Sequence, residues 1–287
     1  MTPPRIDLHT HSRASDGTDS PRGVLEAAAA AGLDVVALTD HDTTAGWAEA
    51  AEAVAVTGVA LVRGTEISTR VRTEGGSISV HLLSYLHAPD DEVLRAECDR
   101  TRTDRLSRAR RMTDLLAEDF PVTWDDVVAQ TGDGATVGRP HLADALVAAG
   151  VVGSRDEAFA TVLHPGARYY VPHYAPDTVD AVRAVLGAGG VPVMAHPGAG
   201  ARGRTVSEAT IADLAAAGLA GLEVDHRDHD AEARDRLRGL TAELGLLATG
   251  SSDYHGTGKL NRIGENTTAP EVLAQIEERG RLDVIRP

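Results

Sequence analysis

Short runs of apolar, often β-branched residues recur along the chain, and each gives way at its end to a knot of polar residues. The pattern holds for "RIDLHTHSRASDG" (5–17), "DVVALTDHDTT" (34–44), "VALVRGTEIS" (59–68), "SISVHLLSYL" (77–86), "VPVMAHP" (191–197), "GLEVDH" (221–226) and "LLATGSSDYHG" (246–256). Runs of this length and composition predict strands. Alanine-rich helical patterns over about 45–57, 207–217 and 230–244 lie between several of them. Strands alternating with helices predict parallel β/α units. The polar knots then fall together at the carboxyl end of a sheet or barrel, where such folds place their sites.

The middle of the chain reads differently. From about Pro89 to Leu163 strand signals almost vanish, and "DDEVLRAECDRTRTDRLSRARRMTDLLAEDF" predicts one long charged helix. Shorter helical patterns follow in "TWDDVVAQTG", "RPHLADALVAAG" and "RDEAFATVL". The organisation expected is a barrel formed by residues 1–88 and 164–287, with a helical insertion over 89–163 that caps its mouth. Acidic and basic residues are mixed along the long helix, which therefore reads as a solvated face rather than a nucleic-acid surface.

Composition narrows the chemistry. The 287 residues suffice for one large domain or a barrel with an insertion. The start, "MTPPRIDLHT", lacks a signal-peptide pattern, and no apolar run approaches the length of a membrane span; a cytoplasmic location is expected. Cys98 is the only cysteine, so no internal disulfide forms and thiolate zinc sites are excluded. The formal charge of -15 argues against duplex nucleic acid and anionic membranes as partners.

The polar residues that end the strands are His9, His11, Asp16, Asp40, His41, Glu66, His81, His196, Asp253 and His255. Singly, each is more readily a capping aspartate or a satisfied core histidine than a ligand. Jointly they point to a metal site, because separate structural needs would not place His or a carboxylate after nearly every strand. An imidazole-rich, thiolate-free set suits Zn, Mn or Fe rather than Ca or Mg.

These motifs carry a resemblance. "DLHTHS", "SDG", "TDHD", "GTEIS", the histidine of "SVHLLSYL", "AHPG" and "GSSDYHG" resemble the successive motifs of the PHP family of metal phosphoesterases, named for polymerases and histidinol phosphatases. "GRPHLADAL" (138–146) and "RYYVPHY" (168–174) resemble the branch of nucleoside 3',5'-bisphosphate phosphatases and short-RNA 5' exonucleases. The resemblance implies a distorted seven-stranded β/α barrel of α/β class, holding two or three divalent transition-metal ions. It implies His9, His11, Glu66 and Asp253 around one metal, with Glu66 bridging to a second held by His81 and His196. Asp16, His41 and His255 would hold the third, and Asp40 either orients a ligand imidazole or is a plain turn residue. Three carboxylates against three divalent ions would leave the pocket about three charges positive, which attracts anions into an acidic protein.

Substrate contacts are expected from arginine, whose guanidinium fork binds two phosphate oxygens at once. Arg139 is the first candidate, against helix packing as its alternative, with His141 beside it. Arg202 and Arg204, in the glycine-rich loop after His196, are either substrate contacts or exposed turn residues. His229 is a candidate to protonate the leaving oxygen or to contact phosphate, with His226 nearby; His87, His164 and His173 read as structural. The expected activity is hydrolysis of a phosphate monoester of a small nucleotide. Its alternatives are diester or 5'-3' exonuclease cleavage of cyclic phosphates or short RNA, a histidinol-phosphatase-like activity, and a non-catalytic module. Amide hydrolysis is disfavoured, since Lys259, the only lysine, lies outside the strands where a carboxylated bridge would be needed.

Overall fold

The computed structural model describes residues 3–132 and 134–287, with Arg202 described by its backbone alone. Seven strands form one sheet in chain order: β1 (Ile6–Thr10), β2 (Val35–Leu38), β3 (Ala60–Thr73), β4 (Gly76–Tyr85), β5 (Val191–Met194), β6 (Gly221–Asp225) and β7 (Leu247–Gly250). The end of β1 returns to the segment after β7 through a parallel bridge between Thr10 and Tyr254. The His11 amide donates to the Tyr254 carbonyl at 2.8 Å, so the sheet curls into a nearly closed barrel.

Helices α1 (Pro21–Ala30) and α2 (Trp47–Thr57) follow the first two strands. Then α3 (Glu92–Leu116), α4 (Trp124–Val128), α5 (Arg139–Ala148) and α6 (Arg155–Thr161) stand between β4 and β5, with α7 (Thr178–Gly187) leading back. The chain finishes with α8 (Glu208–Ala216), α9 (Ala231–Leu244) and α10 (Pro270–Arg279). None of the described helices is long and apolar enough to cross a membrane.

The expected run of parallel units breaks at one place. β3 and β4 are joined by a tight turn rather than a helix, with Thr73 paired to Gly76, and β4 runs antiparallel to both β3 and β5. Gly76 takes φ of 104°, which only glycine adopts cheaply. As a consequence His81 lies in mid-strand opposite Ser68, not after a strand end.

Alternation along the strands explains where the site sits. Ala60 and Val62 on β3, Leu83 and Tyr85 on β4, and Val191 and Val193 on β5 fill one buried cluster. The same faces, continued toward the mouth, present Glu66 on β3 and His81 on β4. Tyr85 is fully buried here, and its hydroxyl donates to the Leu8 carbonyl at 2.9 Å. Tyr85→Phe removes that bond while keeping the ring, so stability should fall by about 1 kcal/mol. A lower urea midpoint at unchanged slope would register it.

The helices between β4 and β5 have their own apolar cluster, including Met112, Leu116, Val127, Leu142 and Leu146. Helix α3 is not simply a solvated face. Thr101, Arg105, Arg108 and Met112 form a buried stripe at helical spacing, and the stripe turns two arginines toward the barrel mouth.

Candidate metal centre

The first strand places His9 and His11, and the loop behind it carries Asp16. That loop is organised by Asp40, whose carboxylate accepts the Ser12 amide at 2.8 Å, the Ser12 hydroxyl at 2.7 Å and the Ser15 hydroxyl at 2.6 Å. Burial raises the Asp40 pKa against the pull of these bonds and of the His11 charge. Asp40 therefore acts by holding the loop. Gly17 closes the turn, since a Cβ there would lie 2.4 Å from the His11 carbonyl oxygen.

Glu66 stands at the centre. Its Oε1 lies 2.7 Å from His81 Nδ1 and 3.2 Å from His196 Nε2. Its Oε2 lies 3.2 Å from His9 Nε2, 3.0 Å from His11 Nε2 and 3.3 Å from His41 Nδ1. Burial alone would raise this carboxyl, but His41, His81 and His9 outweigh it and hold the pKa well below the usual range. Asp253 Oδ1 lies 3.5 Å from both His9 and His11 Nε2, while its Oδ2 lies 3.0 Å from Lys259 Nζ. Asp16 Oδ1 lies 3.2 Å from His255 Nε2, and its Oδ2 lies 3.8 Å from His41 Nε2.

The nine expected ligands thus lie in one cluster linked by side-chain contacts. Three groups have the reach of an ion: His11, Asp16, His41 and His255; His9, His11, Glu66 and Asp253; and His41, Glu66 and His81. The second-metal partner His196 reaches Glu66, although His41 is the residue that completes the group with His81. The donors fit cations. His9 and His11 Nε2 face each other at 3.0 Å. His41 Nδ1 and His255 Nε2 are buried beside the Glu66 and Asp16 carboxylates without forming a hydrogen bond of good geometry, an arrangement that suits nitrogens sharing a cation with those oxygens.

Glu223 was not among the sequence candidates, yet it is fully buried beneath this cluster. Its Oε1 lies 3.0 Å from His9 Nδ1 and accepts the Ser251 hydroxyl at 2.6 Å, while Oε2 accepts the His196 amide at 2.7 Å. A carboxylate on the outer nitrogen of a ligand imidazole fixes its tautomer and orientation. The one signal for it was an acid within the apolar run "GLEVDH".

The expected substrate residues divide. Arg139 lines a groove of about 720 Å³ together with His81, His196, Arg70, Arg108, Tyr170 and His173. Its Nη1 donates to the Leu163 carbonyl at 3.0 Å, and its guanidinium lies 5.7 Å from the Tyr170 ring centroid. Arg204 reaches the same groove but is committed to the β3–β4 turn, donating to the Gly75 carbonyl at 2.9 Å and Thr73 Oγ1 at 3.1 Å. The Arg202 side chain lies outside the described residues. His141 is buried and accepts the Gly138 amide through Nδ1 at 3.1 Å, capping α5.

His229 does not fit the role of proton donor: Nδ1 lies 2.8 Å from the Val224 carbonyl and Nε2 accepts the Gly198 amide at 3.0 Å. Both ring nitrogens are spent on backbone, tying the loop after β5 to β6. The imidazole that does face the cluster is His226, with Nε2 buried and 3.6 Å from Asp253 Oδ2.

His87 pairs with Ser84 at 2.8 Å and sets its ring, tilted by 56°, 5.0 Å from that of Trp47; burial brings its pKa down to about 4. His164 accepts the Gly166 amide at 3.1 Å. His173, by contrast, lies in the groove, its Nδ1 2.8 Å from Arg108 Nη1.

A seven-stranded barrel holding a buried imidazole and carboxylate cluster at its mouth has the donor set of a metal-dependent hydrolase. Residues 7–120 match the PHP domain. Across 98% of both chains, the sequence is 36% identical to a 3',5'-nucleoside bisphosphate phosphatase of Chromobacterium violaceum. It is 31% identical to a 5'-3' exoribonuclease of Haemophilus influenzae, over 96% of this chain and 98% of that one. A crystal structure of a metal-dependent phosphoesterase from Bifidobacterium adolescentis superposes with a TM-score of 0.92 at 45% identity, covering 97% of this chain and 98% of that one. The chain belongs to the PHP family of metal-dependent phosphoesterases.

Proposed function

We propose that the chain is a phosphomonoesterase acting on a small nucleotide that bears two phosphates, such as a 3',5'-bisphosphonucleotide, and releasing inorganic phosphate. The observation that carries this reading is that the metal cluster opens onto a groove whose other side is cationic. His81 and His196 belong to the cluster and also line the groove, together with Arg70, Arg108 and Arg139. Arg70 Nε and Arg108 Nε are buried without hydrogen-bond partners. Among the described residues neither Arg108 nor Arg139 has a carboxylate in salt-bridge range, so their charge awaits an anion.

Two or three ions of Mn, Fe or Zn at the nine ligands would lower the pKa of a bound water toward ~7 and draw off phosphoryl charge. The chain's own groups do the rest. Asp40 and Glu223 hold the ligand imidazoles and the Asp16 loop in place. The Asp228 amide donates to His226 Nδ1 at 3.0 Å, which leaves the ring hydrogen on Nε2, facing the cluster as a donor to a phosphate oxygen. Helices α3 to α6, over 89–163, act as the cap, bringing Arg108 and Arg139 over the mouth. Tyr170 offers a ring beside Arg139 for a base.

A metal-supplemented assay tests this. A 3',5'-bisphosphonucleotide should release phosphate faster than a cyclic phosphate, a short 5'-phosphorylated RNA or histidinol phosphate. Absence of turnover on every ester with Mn, Fe and Zn present would overturn the reading. Faster shortening of the RNA from its 5' end would favour the exonuclease alternative, to which the Haemophilus relative is the pointer.

A further inference from the structure

We infer that Arg155, on cap helix α6, is a positioning residue for the metal-ligating group formed by His11, Asp16, His41 and His255; this rests on the reading of the cluster as a metal centre. The three groups are not built alike. His9, Glu66 and His81 lie within strands, and ladder hydrogen bonds fix their backbone whatever the cap does. Asp16 and His255 instead come from two loops far apart in sequence, whose side chains meet at 3.2 Å and whose backbones are joined through Thr18, which donates its amide to the His255 carbonyl at 3.1 Å and accepts the Thr257 amide on its hydroxyl at 2.9 Å.

One guanidinium spans those two loops. Arg155 Nη1 donates to the Asp16 carbonyl at 3.2 Å and to the Gly258 carbonyl at 3.4 Å, while Nε and Nη2 hold the two oxygens of Asp144 on α5. Arginine can do this because its fork offers several donors in fixed directions. Gly258 makes room for it: a Cβ there would lie 2.3 Å from Arg155 Nη1. The cap grips the same loop a second time, where the Thr136 amide donates to the Ala14 carbonyl at 3.1 Å. Seating of the cap and geometry of this ligand group are therefore one event.

Outer contacts that orient ligands are worth roughly 10- to 100-fold in metal affinity. In the full-length chain, Arg155→Gln should lose one metal equivalent at chelator concentrations that strip none from the wild type, by elemental analysis after dialysis against graded EDTA. The remaining equivalents should follow the wild-type curve. Gly258→Ala, which displaces the guanidinium without removing it, should show the same selective loss. Arg168→Ala, which breaks only an exposed cap pair with Glu118 and Asp119, should show none. Comparing the melting temperatures of metal-free Arg155→Gln and wild type separates positioning from general loosening, since a positioning role leaves them close. Wild-type curves for both variants would overturn the inference, as would parallel loss of every equivalent. A wild-type chain that retains no added metal would sink the metal reading itself, and the inference with it.

Discussion

Glu66→Gln lowers phosphate release by about 10³-fold or more while the chain remains folded. The side chain keeps its shape, but it loses the negative charge around which five imidazoles, those of His9, His11, His41, His81 and His196, are gathered within 3.3 Å. An amide cannot serve both oxygens of a bridging ligand, because one end is now a donor facing imidazole nitrogens. Metal ions supply several kcal/mol of transition-state stabilisation, and each ~1.4 kcal/mol is tenfold in rate, so losing even one ion reaches this size. Steady-state rates at saturating Mn, read beside metal content, check it. A variant within tenfold of wild type at full metal occupancy would show that Glu66 is not the bridge. Dialysis of the wild type against a chelator should give the same loss, reversed by adding metal back.

The candidate ligand positions were legible as a set because each stands within or just behind an apolar run, and a period of two already places His9 and His11 on one side. The direction of β4 was not. A strand reached by a hairpin and one reached by a crossover carry the same alternation, and the difference lay in the two connecting residues Glu74 and Gly75 and the glycine that follows them. Arg105 and Arg108 were hidden for another reason. In a helix this dense in charge the buried stripe is made partly of arginine, so polarity stops reporting exposure; Arg105 is stabilised by Asp42 at 3.2 Å, a residue remote in sequence. His229 looked chemical by residue type, and nothing local shows that the Val224 carbonyl and the Gly198 amide consume both its nitrogens. Arg204 stood between substrate contact and exposed turn residue, and its partners on the β3–β4 turn lie far away in the chain. Ligands converge on a centre that declares itself many times over, whereas a single arginine is placed by one or two contacts that no short window contains.

Arg108 is where that missed information has its largest consequence for specificity. Arg108→Gln should reduce kcat/KM for a 3',5'-bisphosphonucleotide by roughly 30- to 150-fold, the equivalent of about 2–3 kcal/mol for a buried charge-assisted contact. It should alter hydrolysis of the corresponding 3'- or 5'-monophosphate by less than about threefold, a change within the ordinary scatter of surface substitutions. Arg108 is only 5% exposed. Burial first, then the charges of Arg105 and Arg139, bring its pKa down to about 9, so the cluster is held together against its own repulsion. Glutamine relieves that repulsion, and the free chain should therefore be at least as stable as wild type. Lost affinity with retained or increased melting temperature is the signature of a residue kept for its ligand rather than for the fold. Equal losses on bisphosphate and monophosphate would place Arg108 in general support of the site, and an unchanged KM for the bisphosphate would remove the second anion from this groove altogether.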